Sequence, residues 1–273
     1  MGWKHLISGF GTAGLLAATA LAFLALARRR EARRFYSTLA AGLVLIANVA
    51  ALATGIVAHG PLDAMRDSFA SSLLLTGLLV AVGLLAQRIP AMRGLDGVLF
   101  LFAGIMQFSA FFQIDRPTTD VTYNPWFISH QVAFALSATC FTVGGAAGAV
   151  YLLLYRLLRR KRALSLARRL PPLESLERVG RWMLMIGFPF LTYGVLTGFC
   201  QLSRQSDPGP WQWLVDPFIV VTLILWLVYA LAVVAVWRLP RMRGPRAAAL
   251  AAASLCLLVI VFVVLDHLSP LHR

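Results

Sequence analysis

The chain has 273 residues, of which 59% are hydrophobic and only 13% charged. Water-soluble domains carry roughly 25% charged residues, so this much apolar side chain cannot be hidden in one aqueous core. The formal net charge of +14 is dispersed in short arginine blocks between long apolar runs. That placement argues against DNA or RNA as a partner and for a lipid bilayer.

A helix needs about 20 apolar residues to cross the hydrocarbon layer. Eight stretches qualify, at about 7–27, 38–58, 69–87, 94–114, 128–154, 181–202, 213–237 and 247–265. Backbone in lipid must satisfy its own hydrogen bonds, so each continuous run predicts a helix. The expected fold class is all-α, a polytopic membrane helical bundle of eight transmembrane helices. The loops are short, and residues 1–273 read as a single integral membrane domain.

Met1-Gly2-Trp3-Lys4-His5 precedes the first run, and Arg28, Arg29, Arg30, Arg33 and Arg34 follow it. This is the reverse of a secretory signal, and it places the C-terminal end of the first helix inside. The first, third, fifth and seventh connections hold five, two, nine and four Lys/Arg, twenty of the 25 in the chain. The positive-inside rule then predicts an even span count with both termini on the outer side.

In the fifth connection, Pro171-Pro172 should break any long helix, and Ser175 is expected to cap the next. Pro189 predicts a kink in the sixth run. Gly194 and Gly198 share one face, suited to close approach of a neighbouring helix or of a ligand. Cys140, Cys200 and Cys256 form no Cys-x-x-Cys pair and read as small packing residues.

All five histidines, His5, His59, His130, His267 and His272, fall near the predicted outer boundary. Interfacial anchoring accounts for that distribution. So does an outward-facing ligand site, because imidazoles from two helices can take the axial positions of a haem iron. His130 is the strongest single candidate, since Trp126, His130 and Phe134 lie on one side of a helix.

The connection Ser206 to Pro217 places Trp211 and Trp213 beside the same boundary, as an aromatic belt or as a platform for a planar apolar ligand. Asp216 suits a helix cap with Pro217 at the first position, or a carboxylate orienting a histidine. Asp96, Asp115 and Asp266 lie near span edges, so no ion or proton relay is expected at the membrane centre. Gln107 and Tyr193 are expected to form interhelical hydrogen bonds. No nucleotide loop, zinc motif or hydrolase elbow is present.

Three segments carry a family resemblance. They are Leu170-Pro171-Pro172-Leu173-Glu174-Ser175-Leu176-Glu177-Arg178, the sixth-span stretch Ile186 to Gly198, and Leu225-Trp226-Leu227-Val228-Tyr229-Ala230. With these the chain resembles the cytochrome c assembly membrane proteins, mainly over about residues 125–273. That group includes the haem-handling component of cytochrome c synthase and shorter eight-span relatives of the HemX type.

The resemblance implies haem as cofactor, held by a tryptophan-rich outer loop and two outer histidines. The first corresponds to His130, after Asn124-Pro125-Trp126. The second corresponds to His272 in Leu271-His272, with His267 competing. The loop correspondence centres on Trp213, Asp216 and Pro217, with Trp211 fitting less closely. Synthase relatives commonly carry Trp-Gly-x-x-Trp-x-Trp-Asp-Pro-Lys there, whereas this chain has Val215 and Phe218 in place of a tryptophan and the lysine.

The within-membrane histidines and the large outer insertion of the bigger synthases are missing. These departures point away from full synthase activity. The expected function is a haem-binding or haem-transfer accessory protein of cytochrome c biogenesis in the bacterial inner membrane, partnered by biogenesis or respiratory complex proteins. The alternatives are a haem-free accessory or structural subunit, a regulator of haem synthesis, and a transporter of small solutes or divalent ions.

Overall fold

The structure, a computed structural model, describes residues 3–28, 31–66, 68–114, 125–161, 169–202, 216–238 and 244–260. Each of the eight apolar runs is helical there: α1 (Trp3–Arg28), α2 (Glu31–Arg66), α3 (Ser68–Arg88), α4 (Asp96–Phe111), α5 (Pro125–Arg159), α6 (Leu173–Leu202), α7 (Pro217–Arg238) and α8 (Pro245–Ile260). The chain is an all-α polytopic membrane bundle.

Six helices, α1, α2, α3, α5, α6 and α7, are long and apolar enough to cross a membrane. Among the described residues that is six helices of full spanning length, where the sequence predicts eight. α4 and the described part of α8 have 16 residues each, about 24 Å against a hydrocarbon layer of about 30 Å. α4 tolerates its shortness because it is enclosed, with Leu99, Phe100, Ala103 and Ala110 fully buried. Residues 261–265 of the eighth predicted run lie outside the described residues.

The helices form two groups. α1 packs on α2 and α4, and α3 packs on the same two. α5 packs on α6 and α8, α7 leans on α6 and α8, and α5 also touches α3 and α4, which joins the groups. In the most apolar stretch of α5, 72% of positions are buried, against 22–28% in α1, α2, α6 and α7.

Glycine makes α5 central. A Cβ at Gly145 would stand 2.5 Å from Leu255 Cβ and 3.0 Å from the Ala251 carbonyl oxygen. One at Gly148 would stand 2.7 Å from the Ala248 carbonyl oxygen. One at Gly144 would stand 3.4 Å from Met183 Cβ and 3.6 Å from the Gly180 carbonyl oxygen of α6, ordinary contact distances. In lipid, where no hydrophobic force drives helices together, such backbone approach supplies the dispersion energy of packing. Outward faces are apolar too, with Phe10 74%, Ile46 67% and Val57 87% exposed, as lipid contact requires.

Polar groups knit α1–α4 internally. Ser8 Oγ donates to the Gln107 carbonyl oxygen at 2.9 Å, and Asn48 Nδ2 donates to Gln107 Oε1 at 3.1 Å. Gln107 thus makes the expected interhelical bonds, while Tyr193 is 44% exposed on the outside of α6. Towards the arginine-rich end, Gln87 Nε2 donates to Asp96 Oδ2 at 3.1 Å, and Thr38 Oγ1 donates to Gln87 Oε1 at 2.6 Å. Arg34 donates to the Gln87 carbonyl oxygen. At the same end Gly94 (φ 87°) makes the turn before α4, and Arg169 reaches across to donate to the Leu26 carbonyl oxygen at 2.7 Å and to that of Ala27.

α6 starts at Leu173, directly after Pro171-Pro172, and the Pro172 carbonyl oxygen accepts from the N–H groups of Ser175 and Leu176. Ser175 is therefore inside the first turn and not at the cap. The helix continues through Pro189. No disulfide joins any two of the three cysteines; Cys200 and Cys256 are exposed, and Cys140 packs half-buried at Gly187.

Gly145→Ala and Gly148→Ala are each expected to cost about 1–3 kcal/mol by overpacking. Gly42→Ala, with nothing within 4 Å of the added carbon, should be neutral or stabilise by about 0.5–1 kcal/mol. Thermal unfolding in detergent measures the difference, and equal melting temperatures for all three would refute the close-packing account.

Candidate functional site

At the bundle end opposite the arginine-rich connections, the start of α5 meets the last turns of α6. The His130 ring is half-buried there, and its Nδ1 lies 2.7 Å from the Gly194 carbonyl oxygen. A carbonyl only accepts, so Nδ1 carries the hydrogen and donates it. In the neutral ring the lone pair then resides on Nε2. Phe134, one turn further along α5, sits against the ring with centroids 5.0 Å apart.

The two glycines of α6 make this seating possible. A Cβ at Gly198 would stand 3.0 Å from His130 Cε1, and one at Gly194 would stand 2.8 Å from Phe134 Cδ2. The Gly-x-x-x-Gly spacing therefore serves helix packing, and what it packs is the candidate imidazole. Thr197 Oγ1 donates to the Gly194 carbonyl oxygen at 3.0 Å and to that of Tyr193 at 2.9 Å. The Gly194 oxygen thus receives both the imidazole N–H and a hydroxyl. Sequence reading missed Gly194 as an acceptor and missed Thr197, because side-chain spacing carries no sign of where a carbonyl points.

Trp126 is 41% exposed one turn before His130, on the same side of α5. Asp216 is 2% exposed at the start of α7. Its carboxylate accepts from the Ile219 N–H at 3.3 Å, and its carbonyl oxygen accepts from Val220 N–H at 3.0 Å. That is the expected N-cap, with Pro217 at the first helical position.

Trp211, Trp213, His267 and His272 lie outside the described residues, as do Asp115 and Asp266. His5 meets Phe111 edge-on at 5.2 Å, beside a collar of Trp3, Lys4 and Phe69. His59 directly precedes Gly60, whose φ of 82° breaks the helical path of α2.

Among the described residues, no group of three or more His, Cys, Asp or Glu side chains is placed to hold a metal ion. An axial position on a haem iron asks less, a single imidazole nitrogen. His130 fits that donor requirement, since ligating histidines commonly donate their other ring N–H to a backbone carbonyl or carboxylate.

Nitrogen-15 NMR of histidine-labelled protein should show the neutral His130 ring protonated on Nδ1; the Nε2–H tautomer would remove the Gly194 bond from the account. Asp216→Ala should lower stability by about 0.5–2 kcal/mol, with Asp216→Asn retaining most of it. Equal loss in both, measured by thermal unfolding, would show that the cap is not what Asp216 supplies.

Residues 10–272 match the family described as Cytochrome C assembly protein, so the match extends well into the N-terminal half, where family-like motifs are sparse. One curated relative is the Cytochrome c biogenesis protein CcsA of Thermosynechococcus vestitus, 39% identical over 62 residues. That alignment covers 23% of this chain and 18% of the relative, so the region shared with it is a small part of either protein. No solved structure matches. An apolar bundle that seats an imidazole against a glycine-lined helix, matched nearly end to end, makes this chain a member of the cytochrome c assembly protein family.

Proposed function

We propose that the protein binds or transfers haem at the outer face of the bacterial inner membrane, as a short HemX-type accessory of cytochrome c biogenesis. His130 supplies one axial nitrogen, and His272, or else His267, supplies the second. Trp126, Trp211 and Trp213 provide aromatic surface for the ring, and the Asp216 cap fixes where the tryptophan-bearing connection joins α7. In this reading the chain spans the membrane eight times with both termini outside.

The observation that carries the proposal is the 2.7 Å contact between His130 Nδ1 and the Gly194 carbonyl oxygen. It directs the lone pair to the other nitrogen, the one a metal would use. Bound haem would supply the iron chemistry; the chain's own part is to hold and orient the imidazole. Family membership supports the same class of cargo.

A second reading, a haem-free accessory subunit of a biogenesis or respiratory complex, is favoured by Val215 and Phe218 in the otherwise tryptophan-bearing connection.

Absorption spectra of protein purified from haem-replete cells separate the two. A Soret band is expected in the wild type, lost in His130→Ala and in one of His272→Ala or His267→Ala. Gly198→Ala, which crowds the imidazole, should weaken haem retention about 10–100-fold. A wild type without haem under both oxidising and reducing preparation, co-purifying with a larger complex, would establish the second reading.

A further inference from the structure

A second site lies at the arginine-rich end, several turns along α5 from the Gly194 contact. α5, α6, α7 and α8 surround a cavity of about 70 Å³ whose lining includes Gly144, Gly148, Tyr229, Ser254, Glu177 and Arg181. A water molecule needs roughly 10–15 Å³ of such space, so the cavity has room for several waters or a short hydrocarbon segment. Its walls are mostly glycine, alanine and aliphatic side chains, which favours hydrocarbon. The glycines that draw α6 and α8 onto α5 leave α7 further out, and the cleft is the space that remains.

Two features call for a molecule with polar groups at two depths. Tyr229 is 3% exposed and stacks on Phe141 with centroids 3.6 Å apart. Its hydroxyl lines the cleft and interacts with the hydroxyl of Ser254, which itself donates to the Ala251 carbonyl oxygen at 2.9 Å. Nearer the helix ends, Glu177 and Arg181 carry opposite charges on one face of α6, 3.4 Å apart and partly exposed. So long and solvated a pair is weak, and both groups remain open to a better partner. Tyr229 lies nine residues before the end of α7, about 13 Å along the axis, and so deeper than the charged rim.

From this arrangement we infer that the cleft binds one glycerophospholipid with an ethanolamine headgroup, drawn from the leaflet bordering the arginine-rich end. Arg181 takes the phosphate and Glu177 takes the ammonium. One acyl chain enters the cleft, and an ester carbonyl oxygen accepts from the Tyr229 hydroxyl. Opposite charges at the rim match a zwitterionic head better than a purely anionic one. The site is independent of the haem reading.

The test is native mass spectrometry of the full chain released from nanodiscs of dioleoyl-phosphatidylethanolamine and dioleoyl-phosphatidylglycerol in equal parts. One retained ethanolamine lipid per chain is expected. Arg181→Gln should lower retention about fivefold. Glu177→Gln should abolish the preference over the glycerol lipid, and Tyr229→Phe should weaken retention a few-fold. Ser254→Phe fills the cleft and should remove the bound lipid; Ala235→Phe serves if that variant does not fold. Val57→Phe, on a lipid-facing surface, should leave retention unchanged. The inference is overturned if the glycerol lipid is retained equally well or better, or if Arg181→Gln and the cleft-filling variant both hold lipid like the wild type.

Discussion

Close approach of α5 and α6, permitted by glycine on both helices, is the constraint from which the rest of the molecule follows. Gly144 meets Gly180, Gly187 meets Cys140 and Phe141, and Gly194 and Gly198 meet Phe134 and His130. Along this seam the backbones come near enough for an imidazole on one helix to bond a main-chain carbonyl on the other. A neighbouring strip of α5 repeats the device against α8 through Gly145 and Gly148. A central helix clasped on two sides holds its own side chains still, and a ligand nitrogen has to be held in place to be useful. The cleft beside α7 arises from the same geometry, because a helix drawn close to two neighbours leaves the third partner further out.

Water is absent from the hydrocarbon layer, so each polar side chain there must find a partner within the protein. The Ser8–Gln107–Asn48 and Thr38–Gln87–Asp96 chains answer part of this demand between α1 and α4, while Asn48 Oδ1, Gln107 Nε2, Thr76 Oγ1 and Ser109 Oγ have no partner among the described residues. Interhelical bonds of this kind are worth about 0.6 kcal/mol each on average, so they set which helices neighbour one another more than they set stability. The C-terminal half relies on small residues and aromatic contacts instead, with Trp226 Nε1 donating to Thr192 Oγ1 at 3.0 Å as a polar tie between α6 and α7.

Much of this was legible in the sequence. All eight helices follow the apolar runs, because continuous apolarity is unambiguous when the solvent is lipid. Asp216 with Pro217 announced a cap, and Gln107 announced an interhelical bond, since local chemistry leaves each little choice. His130, Trp126 and Phe134 were placed on one side of a helix by period alone. The span count was less legible: α4 is apolar enough to cross but only 16 residues long, and hydropathy does not distinguish a helix enclosed by protein from one bathed in lipid. With Ser175 read as the cap, the start of α6 was set three residues late, because a serine attracts attention that belonged to the prolines before it. The Gly194 acceptor and the cleft at Tyr229 left no sequence trace, since each depends on how two or more helices sit against one another.

Arg169 grips the last carbonyl groups of α1, those of Leu26 and Ala27, from 143 and 142 residues downstream. α1 thus waits for a partner that emerges after α5. At about 5–20 residues per second, that interval is on the order of 7–30 seconds. Throughout it the leading hairpins reside in the bilayer with an uncapped end facing the headgroups. Biosynthesis of this protein therefore includes a late latch, and a chain truncated before residue 169 would leave α1 unfastened at that end.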